Sequence, residues 1–256
     1  MNALKDDMDK VRFETDRTLE KTLVFKNTDY DRIIDAMRYA TIGGGKAFRP
    51  FLVTLVAEMF PLKRTIVAKI GTALEMVHSY SLIHDDLPCM DNDIMRRGKA
   101  ATHIHFGEAT AVLTGAALLT QAFLLLSTHE TGFSAAMQVK LIHLLAQAAG
   151  ADGMIGGQVM DMLGEKIPLT LDQIQTMQRL KTGALIRFAC TAPAIAADAP
   201  QEDIDALTTY ADALGRLFQL TDDLLDVEAG AALLGKSIGE DKQAGRSTIS
   251  GVCGCV

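Results

Sequence analysis

Residues 82–93 read Leu-Ile-His-Asp-Asp-Leu-Pro-Cys-Met-Asp-Asn-Asp, so an apolar helical run ends in a cluster of acids. Pro88 disfavours helical backbone at the residue before it, which predicts a helix end near Asp86 and places Asp91 on the loop beyond. Clustered carboxylates repel one another, so a cation or a strongly hydrated surface must compensate them. Oxygen donors without added His or Cys favour a hard ion, Mg²⁺ before Zn²⁺.

A second acidic cluster, Phe-Gln-Leu-Thr-Asp-Asp-Leu-Leu-Asp, occupies residues 218–226. Asp222 and Asp226 are four residues apart on a predicted helix, so they share one face with Gln219 one turn earlier. A solvated acidic face is the plain alternative for either cluster alone. Because both clusters follow apolar runs, the sequence predicts two acidic helix ends that face each other, share several Mg²⁺ ions and bind substrate phosphates.

The composition limits the classes of protein to consider. The chain has 256 residues, 48% of them hydrophobic, which is enough for one sizeable core or at most two small domains. A net charge of −7 argues against nucleic-acid binding through phosphate neutralisation. Four scattered cysteines and a polar N-terminus without a secretory signal predict a reducing, cytoplasmic location.

Helical signals dominate the chain and predict an all-α, single-domain fold over residues 1–256. Alanine, leucine, methionine and glutamine are abundant, and alternating β-branched runs are absent. Gly183 or Pro193 is expected to bend the seventh helix. The predicted helices span residues 3–26, 29–39, 51–60, 65–86, 108–127, 133–149, 171–197 and 202–227.

The fifth predicted helix has the length of a membrane span. Residues 109–127 carry no charge, but they include threonine, glycine and glutamine and have acidic rather than basic flanks. A central helix buried on all sides by other helices explains this composition as well. This composition therefore favours a protein without an integral membrane span.

Two groups of basic residues could bind anions. Lys46 and Arg49 follow the glycine run at residues 43–45, where a helix start offers free N–H groups to a ligand. The plain alternative is a turn with a solvated charge pair, and the spacing is not that of a Walker loop. Arg96 and Arg97 follow the first acidic loop, as ordinary surface charge or as guanidinium forks for phosphate.

His78 precedes Asp85 by two helical turns. A lone histidine in a helix is more often a satisfied core residue than a ligand contact. Its helical spacing from the acidic cluster makes a phosphate contact the competing interpretation.

Five motifs occur in order along the chain. They are Gly-Gly-Lys-x-x-Arg-Pro (44–50), His-x-Tyr-Ser-Leu-Ile-His-Asp-Asp-Leu-Pro-x-Met-Asp-x-Asp-x-x-Arg-Arg-Gly (78–98), Gly-Gly-Gln-x-x-Asp (156–161), Lys-Thr-Gly (181–183) and Phe-Gln-x-x-Asp-Asp-x-x-Asp (218–226). Together they resemble the trans-isoprenyl diphosphate synthases, and the bacterial farnesyl diphosphate synthases in particular. The resemblance runs from about residue 43 to residue 248.

The resemblance implies an isoprenoid-synthase-type helical bundle around a central cavity, with a role for each motif residue. Three Mg²⁺ ions would be held by Asp85, Asp86, Asp91, Asp222, Asp223 and Asp226. The allylic diphosphate would be gripped by Arg96, Lys181 and Lys236, and isopentenyl diphosphate by Lys46, Arg49, His78 and Arg97. Thr182 and Gln219 would line the reacting end, and Gln158 and Asp161 would support the site. The residues expected to be catalytic are Asp85, Asp86, Asp91, Lys181, Asp222 and Asp223.

The implied reaction is a Mg²⁺-dependent condensation of isopentenyl diphosphate with dimethylallyl or geranyl diphosphate to farnesyl diphosphate. Tyr80 and Ser81 lie about one turn below Asp85. In the family, a tyrosine there and two extra residues in the Asp85–Asp91 loop accompany a fifteen-carbon product. The small Ser81 leaves a twenty-carbon product open.

Other functions remain open from the sequence. They are geranylgeranyl or geranyl diphosphate synthesis, a class I terpene cyclase, and a non-catalytic partner subunit of a synthase. A cyclase would need neither the Gly-Gly-Lys-x-x-Arg site nor a second Asp-Asp-x-x-Asp motif. The retained aspartates oppose a non-catalytic role, because no structural need explains them.

The chain departs from the family pattern at three places. Ala47 stands where an arginine is usual, and Arg246 where a lysine is usual. Beyond Thr248 the family continues into further helices, whereas residues 251–256 read Gly-Val-Cys-Gly-Cys-Val, so we expect a C-terminally truncated chain. Large apolar helix faces predict a homodimer.

Overall fold

The computed structural model describes residues 2–24, 29–128 and 132–232, except for the side chains of residues 2, 223 and 225–232. Within these residues the regular elements are helices, apart from one short hairpin of β1 (Met95–Arg96) with β2 (Lys99–Ala100). A π-helical turn, Arg179–Gly183, joins α9 directly to α10. The helices are α1 (Asn2–Thr22), α2 (Asp31–Thr41), α3 (Phe48–Ala57), α4 (Arg64–Asp85), α5 (Thr102–Phe106), α6 (Glu108–Ser127), α7 (Ala135–Ala149), α8 (Met154–Gly164), α9 (Leu171–Gln178), α10 (Ala184–Ala196) and α11 (Gln201–Ala232). The predicted all-α class is confirmed.

The chain divides into two compact units. Unit 1 comprises Met1–His143 and Ala192–Ala199, and unit 2 comprises Leu144–Thr191 and Pro200–Val256. The single-domain organisation stays a prediction.

Helix α4 is the central helix of unit 1. Ile70, Leu74 and Val77 expose no surface, and α4 packs against both α3 and α6. A helix that is apolar nearly all round is stable only when neighbours cover it, and α1 and α2 also contact α4. This packing fixes the position of the C-terminal end of α4.

The end of α4 matches the prediction from Pro88. The helix ends at Asp85, and Asp86 is its C-cap. The Asp91 N–H then donates a 2.9 Å hydrogen bond to the Asp85 carbonyl, so the loop returns to the helix end. The two aspartates are therefore neighbours along the backbone.

The hairpin after this loop was not predicted. Met95 pairs with Ala100 and Arg96 with Lys99, which leaves Arg97 and Gly98 as a two-residue turn. Both have positive φ, 53° and 76°, as a type I′ hairpin requires. Arginine rarely adopts this backbone conformation, so Arg97 carries a conformational cost.

In unit 2 the π-helical turn is the element on which α8, α9 and α11 pack. Gly157 of α8 lies so close that a Cβ atom there would be 2.1 Å from the Lys181 backbone nitrogen. On α11, a Cβ atom at Gly215 would be 3.3 Å from the Gly183 Cα. The bend expected at Gly183 is thus a π-turn ending at Gly183, whereas Pro193 lies inside α10.

Two helix predictions need correction. The sequence predicted no helix between residues 149 and 171, where α8 forms. α6 buries one face only. Val112, Leu113 and Leu124 are exposed, and 39% of the most apolar stretch of the helix is buried. The prediction of burial on all sides is therefore wrong for the described chain. By length and composition α6 could cross a membrane, a test that core helices of soluble proteins also pass.

Candidate active site

Helix α4 carries the candidate residues of unit 1 in two groups. The first group surrounds Glu75 and His78, which are three residues apart and therefore neighbours on one helix face. The second group lies at the helix end, at Asp85 and Asp86. Asp85 follows His78 by seven positions, which is almost two full turns, so both groups lie on similar sides of α4.

The first group places two arginines near one buried carboxylate. The Glu75 side chain is 4% exposed, and its Oε1 accepts a 3.0 Å hydrogen bond from Nη2 of Arg97. Arg49, the second residue of α3, contributes a further positive charge near Glu75. Nε of Arg49 and Nη1 of Arg97 are buried and have no hydrogen-bond partner among the described residues. Two cations with free donors and one anion favour binding of a further anion.

The pKa values of this group follow from burial. Burial raises the pKa of Glu75, against the opposing effect of Arg97 and Arg49. Burial also lowers the pKa of Arg49 to about 10. The pKa of His78 falls well below 6.5, first through burial and then through the positive charges of Arg49, Arg97 and Arg96. His78 is therefore neutral at pH 7 and can donate a hydrogen bond without adding charge.

The glycine run covers the Arg97 side chain. A Cβ atom at Gly45 would lie 3.0 Å from Arg97 Nε, and one at Gly44 would lie 3.0 Å from its Cδ. Lys46 is exposed beside this loop, and Ala47 caps α3 with a left-handed φ of 46°. The loop therefore approaches Arg97 more closely than side chains at residues 44 and 45 would allow.

The second group holds Asp86 in an ion pair. Asp86 is 1% exposed, and its Oδ1 accepts hydrogen bonds from Nε and Nη2 of Arg96, the first at 2.8 Å. The same Nη2 donates to Oδ2 of Asp93 at 2.6 Å. Burial raises the pKa of Asp86, although the hydrogen bonds from Arg96 oppose the shift. This geometry makes Asp86 an anchor for Arg96.

Asp85 and Asp91 are the part-buried carboxylates of this end. Their backbones are joined by the hydrogen bond at the loop, and oxygen donors of this kind suit Mg²⁺. Among the residues that the structure describes, no three acids, histidines or cysteines form a group able to hold a metal ion. The donor set of Asp85 and Asp91 fits Mg²⁺ in type, and further ligands would have to complete the shell.

Tyr80 lies below the acidic end, on the buried side of α4. It is 5% exposed, its hydroxyl has no partner among the described residues, and burial with the nearby charge of Asp85 raises its pKa to about 12. The neighbouring Ser81 hydroxyl donates to the carbonyl of His78 at 2.8 Å. Tyr80 is thus the bulkier side chain and Ser81 bonds to its own helix.

Unit 2 contains the remaining candidates. Lys181 of the π-turn donates a 2.6 Å hydrogen bond to Oδ2 of Asp161 on α8. The role of Asp161 in supporting the site stays a prediction. Thr182 follows in the same turn and is part-buried, as are Gln158 on α8 and Gln219 on α11. Asp222 is exposed on α11, one turn beyond Gln219. The side chains of Asp223 and Asp226, the whole of Lys236, Arg246 and the tail lie outside the described residues.

Comparisons with known proteins agree with these features. The family described as Polyprenyl synthetase matches residues 31–254. The farnesyl diphosphate synthases of Bacillus subtilis and Escherichia coli are 44% and 42% identical to this chain, over 85% and 91% of it and 74% and 77% of their own lengths. A solved structure described as an FPP/GFPP synthase from Zymomonas mobilis has a TM-score of 0.85 at 41% identity, covering 95% of this chain and 88% of that one. The chain belongs to the polyprenyl synthetase family, and its predicted isoprenoid-synthase fold is confirmed.

Sequence reasoning missed Glu75. An acid between Leu74 and Met76, inside an otherwise apolar stretch of helix and three residues before His78, was the available signal. It also missed Asp93 as the second partner of Arg96. Both contacts depend on where the hairpin places Arg96 and Arg97, which the sequence did not predict.

Proposed function

We propose that this chain condenses isopentenyl diphosphate with dimethylallyl or geranyl diphosphate to form farnesyl diphosphate. The observation that carries this proposal is the pair of polar groups along α4, an anion-binding group around Glu75 and His78 and an acidic group at Asp85 and Asp91. A family member with both groups has a place for each diphosphate substrate.

The anion-binding group would hold isopentenyl diphosphate. Arg49 and Arg97 supply unpaired N–H donors, Lys46 adds an exposed cation, and neutral His78 donates a hydrogen bond. This substrate would then lie along α4, towards Asp85.

The acidic groups would hold the metal ions of the allylic site. The aspartates proposed for three Mg²⁺ ions are Asp85, Asp86, Asp91, Asp222, Asp223 and Asp226. Because Asp86 is buried, we expect it to contribute least to metal binding. Bound Mg²⁺ supplies positive charge that stabilises the departing diphosphate. Arg96, Lys181 and Lys236 would add cations to the same diphosphate, with Thr182 and Gln219 at the reacting end.

The chain would direct the reaction by binding and by excluding water. Loss of diphosphate breaks the allylic C–O bond and leaves an allylic cation, which an apolar pocket protects from water. The double bond of isopentenyl diphosphate attacks this cation, forms the new C–C bond and loses a proton to the released diphosphate. The described residues next to α4 offer no obvious side-chain base for this proton.

A longer product is the second candidate. The Zymomonas mobilis relative is described as an FPP/GFPP synthase, and Ser81 leaves little bulk beside Tyr80. If Tyr80 ends the product pocket, Tyr80→Ala lengthens the product by one or more five-carbon units. An unchanged product length would remove Tyr80 from this role.

Product analysis on the 256-residue chain tests the proposal. Incubation with dimethylallyl and isopentenyl diphosphates should give a fifteen-carbon diphosphate with Mg²⁺ and none with a chelator. Asp91→Asn should lower turnover by 100-fold or more, whereas the control Asp205→Asn, an exposed acid of α11, should not change it. A chain that has no turnover alone but changes the product of an added active synthase would instead indicate a non-catalytic partner subunit. Hydrocarbon formed from farnesyl diphosphate alone would indicate a cyclase.

A further inference from the structure

Glu75 is the buried charge in unit 1 for which the proposed reaction has no use. It is 3% exposed and lies inside α4, far from any helix end. A carboxylate in this position costs stability unless opposite charge and hydrogen bonds compensate it. Its compensation comes from Arg97, at 3.0 Å, and from the charge of Arg49.

Arg97 needs a partner to stay in place. Its backbone has a φ of 53° in the hairpin turn, a conformation that L-residues other than glycine rarely adopt. Its side chain runs between the glycine run and Glu75, with Gly44 and Gly45 too close to tolerate a Cβ atom without a shift. The hydrogen bond to Glu75 holds the far end of this guanidinium, while the glycine run packs against it.

The contact with Glu75 uses only part of the guanidinium. Nη2 donates to Oε1, whereas Nη1 is buried and without a partner among the described residues. Nε of Arg49 is likewise buried and unpaired. The three charges sum to +1, so an entering phosphate group finds a positive site with two donors already oriented.

We propose that Glu75 is a positioning residue, which holds Arg97 so that its remaining N–H groups face the diphosphate of isopentenyl diphosphate. This inference rests on the proposed function, because it names a residue that acts on the same substrate through Arg97. Glu75 itself does not touch the substrate. Its negative charge would repel a diphosphate, so its value lies in orientation and not in attraction.

Glu75→Gln tests whether Glu75 acts on binding by orienting Arg97 or by repelling the diphosphate. The side chain keeps its shape but loses the charge, so the ion pair with Arg97 becomes a weaker hydrogen bond from a cation to a neutral acceptor. We expect the KM for isopentenyl diphosphate to rise about tenfold, with kcat and the KM for geranyl diphosphate within twofold of wild type. Tighter binding of isopentenyl diphosphate by this variant would mean that repulsion dominates and would overturn the proposal.

A double-mutant cycle tests whether Glu75 acts through Arg97. Arg97→Met alone should raise the KM for isopentenyl diphosphate further, and adding Glu75→Gln to it should change that KM by less than twofold. Additive effects would show an independent, merely structural role. Glu14→Gln, which breaks the surface pair with Arg64, is the matched control and should leave all constants unchanged.

Direct binding distinguishes this proposal from the proposed function. Calorimetric titration of the wild-type chain with isopentenyl diphosphate should give a measurable Kd, and failure there would overturn the proposed function as well. Binding by the wild type with an unchanged Kd in Glu75→Gln would overturn only the role of Glu75. If Glu75→Gln does not fold by circular dichroism, Glu75→Asp, which keeps the charge but shortens the reach, should raise the same Kd several-fold.

Discussion

At the scale of the residue, His78 links burial to the pH dependence of stability. Its pKa is lowered well below 6.5 by burial and by the neighbouring arginines. Below pH 6.5 the unfolded chain therefore binds a proton that the folded chain does not, and the free energy of unfolding falls as the pH falls. One such group gives a slope of at most about 1.4 kcal/mol per pH unit.

His78→Gln should remove this sensitivity. Between pH 7 and pH 5.5 the wild type should lose about 1 kcal/mol more of its free energy of unfolding than this variant. Urea denaturation at both pH values measures the difference. Equal losses in wild type and His78→Gln would show that His78 is protonated in the folded state.

The pair of Arg96 and Asp86 gives a second prediction at this scale. Arg96→Met removes both hydrogen-bond donors of the Asp86 carboxylate, and the Asp86 side chain is only 2% exposed. The free energy of unfolding should therefore fall by about 2 kcal/mol or more. In Arg64→Met the orphaned partner, Glu14, is 34% exposed, and the loss should be at most about 0.5 kcal/mol. Denaturant titrations with matching m-values measure both. Equal losses would mean that Asp86 becomes hydrated or protonated at little cost.

At the scale of the element, the π-turn depends on the glycine that faces it. In Gly157→Ala the new Cβ would lie 2.1 Å from the Lys181 nitrogen and 2.6 Å from its Cα, so α8 must move away from the turn. We expect a loss of about 2 kcal/mol or more in the free energy of unfolding, with a weaker contact between Asp161 and Lys181. Thermal and urea unfolding test this prediction.

Gly183→Ala is the matched control in the same turn. Its Cβ would be 3.7 Å from the nearest described atom, the carbonyl oxygen of Gln178, which is an ordinary contact. Its stability should equal or slightly exceed that of wild type, since alanine favours helical backbone over glycine by about 0.5–1 kcal/mol. Similar losses in both variants would show that glycine is needed for backbone freedom and not for close packing.

At the scale of the whole molecule, the exposed face of α6 bears on the predicted homodimer. Val112, Leu113 and Leu124 are 46%, 59% and 53% exposed, which is unusual for one helix unless a partner covers it. Sedimentation should find a dimer for the wild type and a folded monomer for the double variant Leu113→Glu, Leu124→Glu. Phe13→Glu, which places the same charge on an exposed residue of α1, should leave the dimer intact. A dimer that survives the double variant would assign the interface to another surface.

The sequence predicted the parts of the fold that depend on local signals. The spacing of apolar residues predicted α4, and Pro88 predicted where it ends, because both signals depend only on residues close together in the sequence. α8 was missed, and the close contact of its Gly157 with the π-turn joins parts of the chain that local signals do not relate. Hydropathy could not reveal that α6 exposes one apolar face. The convergence of the two acidic clusters and the cytoplasmic location stay predictions.

The candidate site also combines features that the sequence predicted with contacts that only the structure shows. The motif residues and their roles came from resemblance to a family, and the structure supplied the pairs that join Asp86 to Arg96 and Lys181 to Asp161. The pairing of Glu75 with Arg97 links residues 22 apart through a turn with positive φ. No periodicity in the sequence encodes such a contact, so only the folded chain reveals it.

The rigidity of α4 has a consequence for substrate geometry. His78 and Asp85 stand seven residues apart on one uninterrupted helix, so about 10 Å of helical rise separates the two binding groups. The backbone hydrogen bonds of the helix therefore fix the distance between the two binding groups, whichever ligand binds. A single residue inserted between these positions would turn one group about 100° away from the other. Substitutions at either position therefore change the chemistry of a binding group without changing the distance between the two groups.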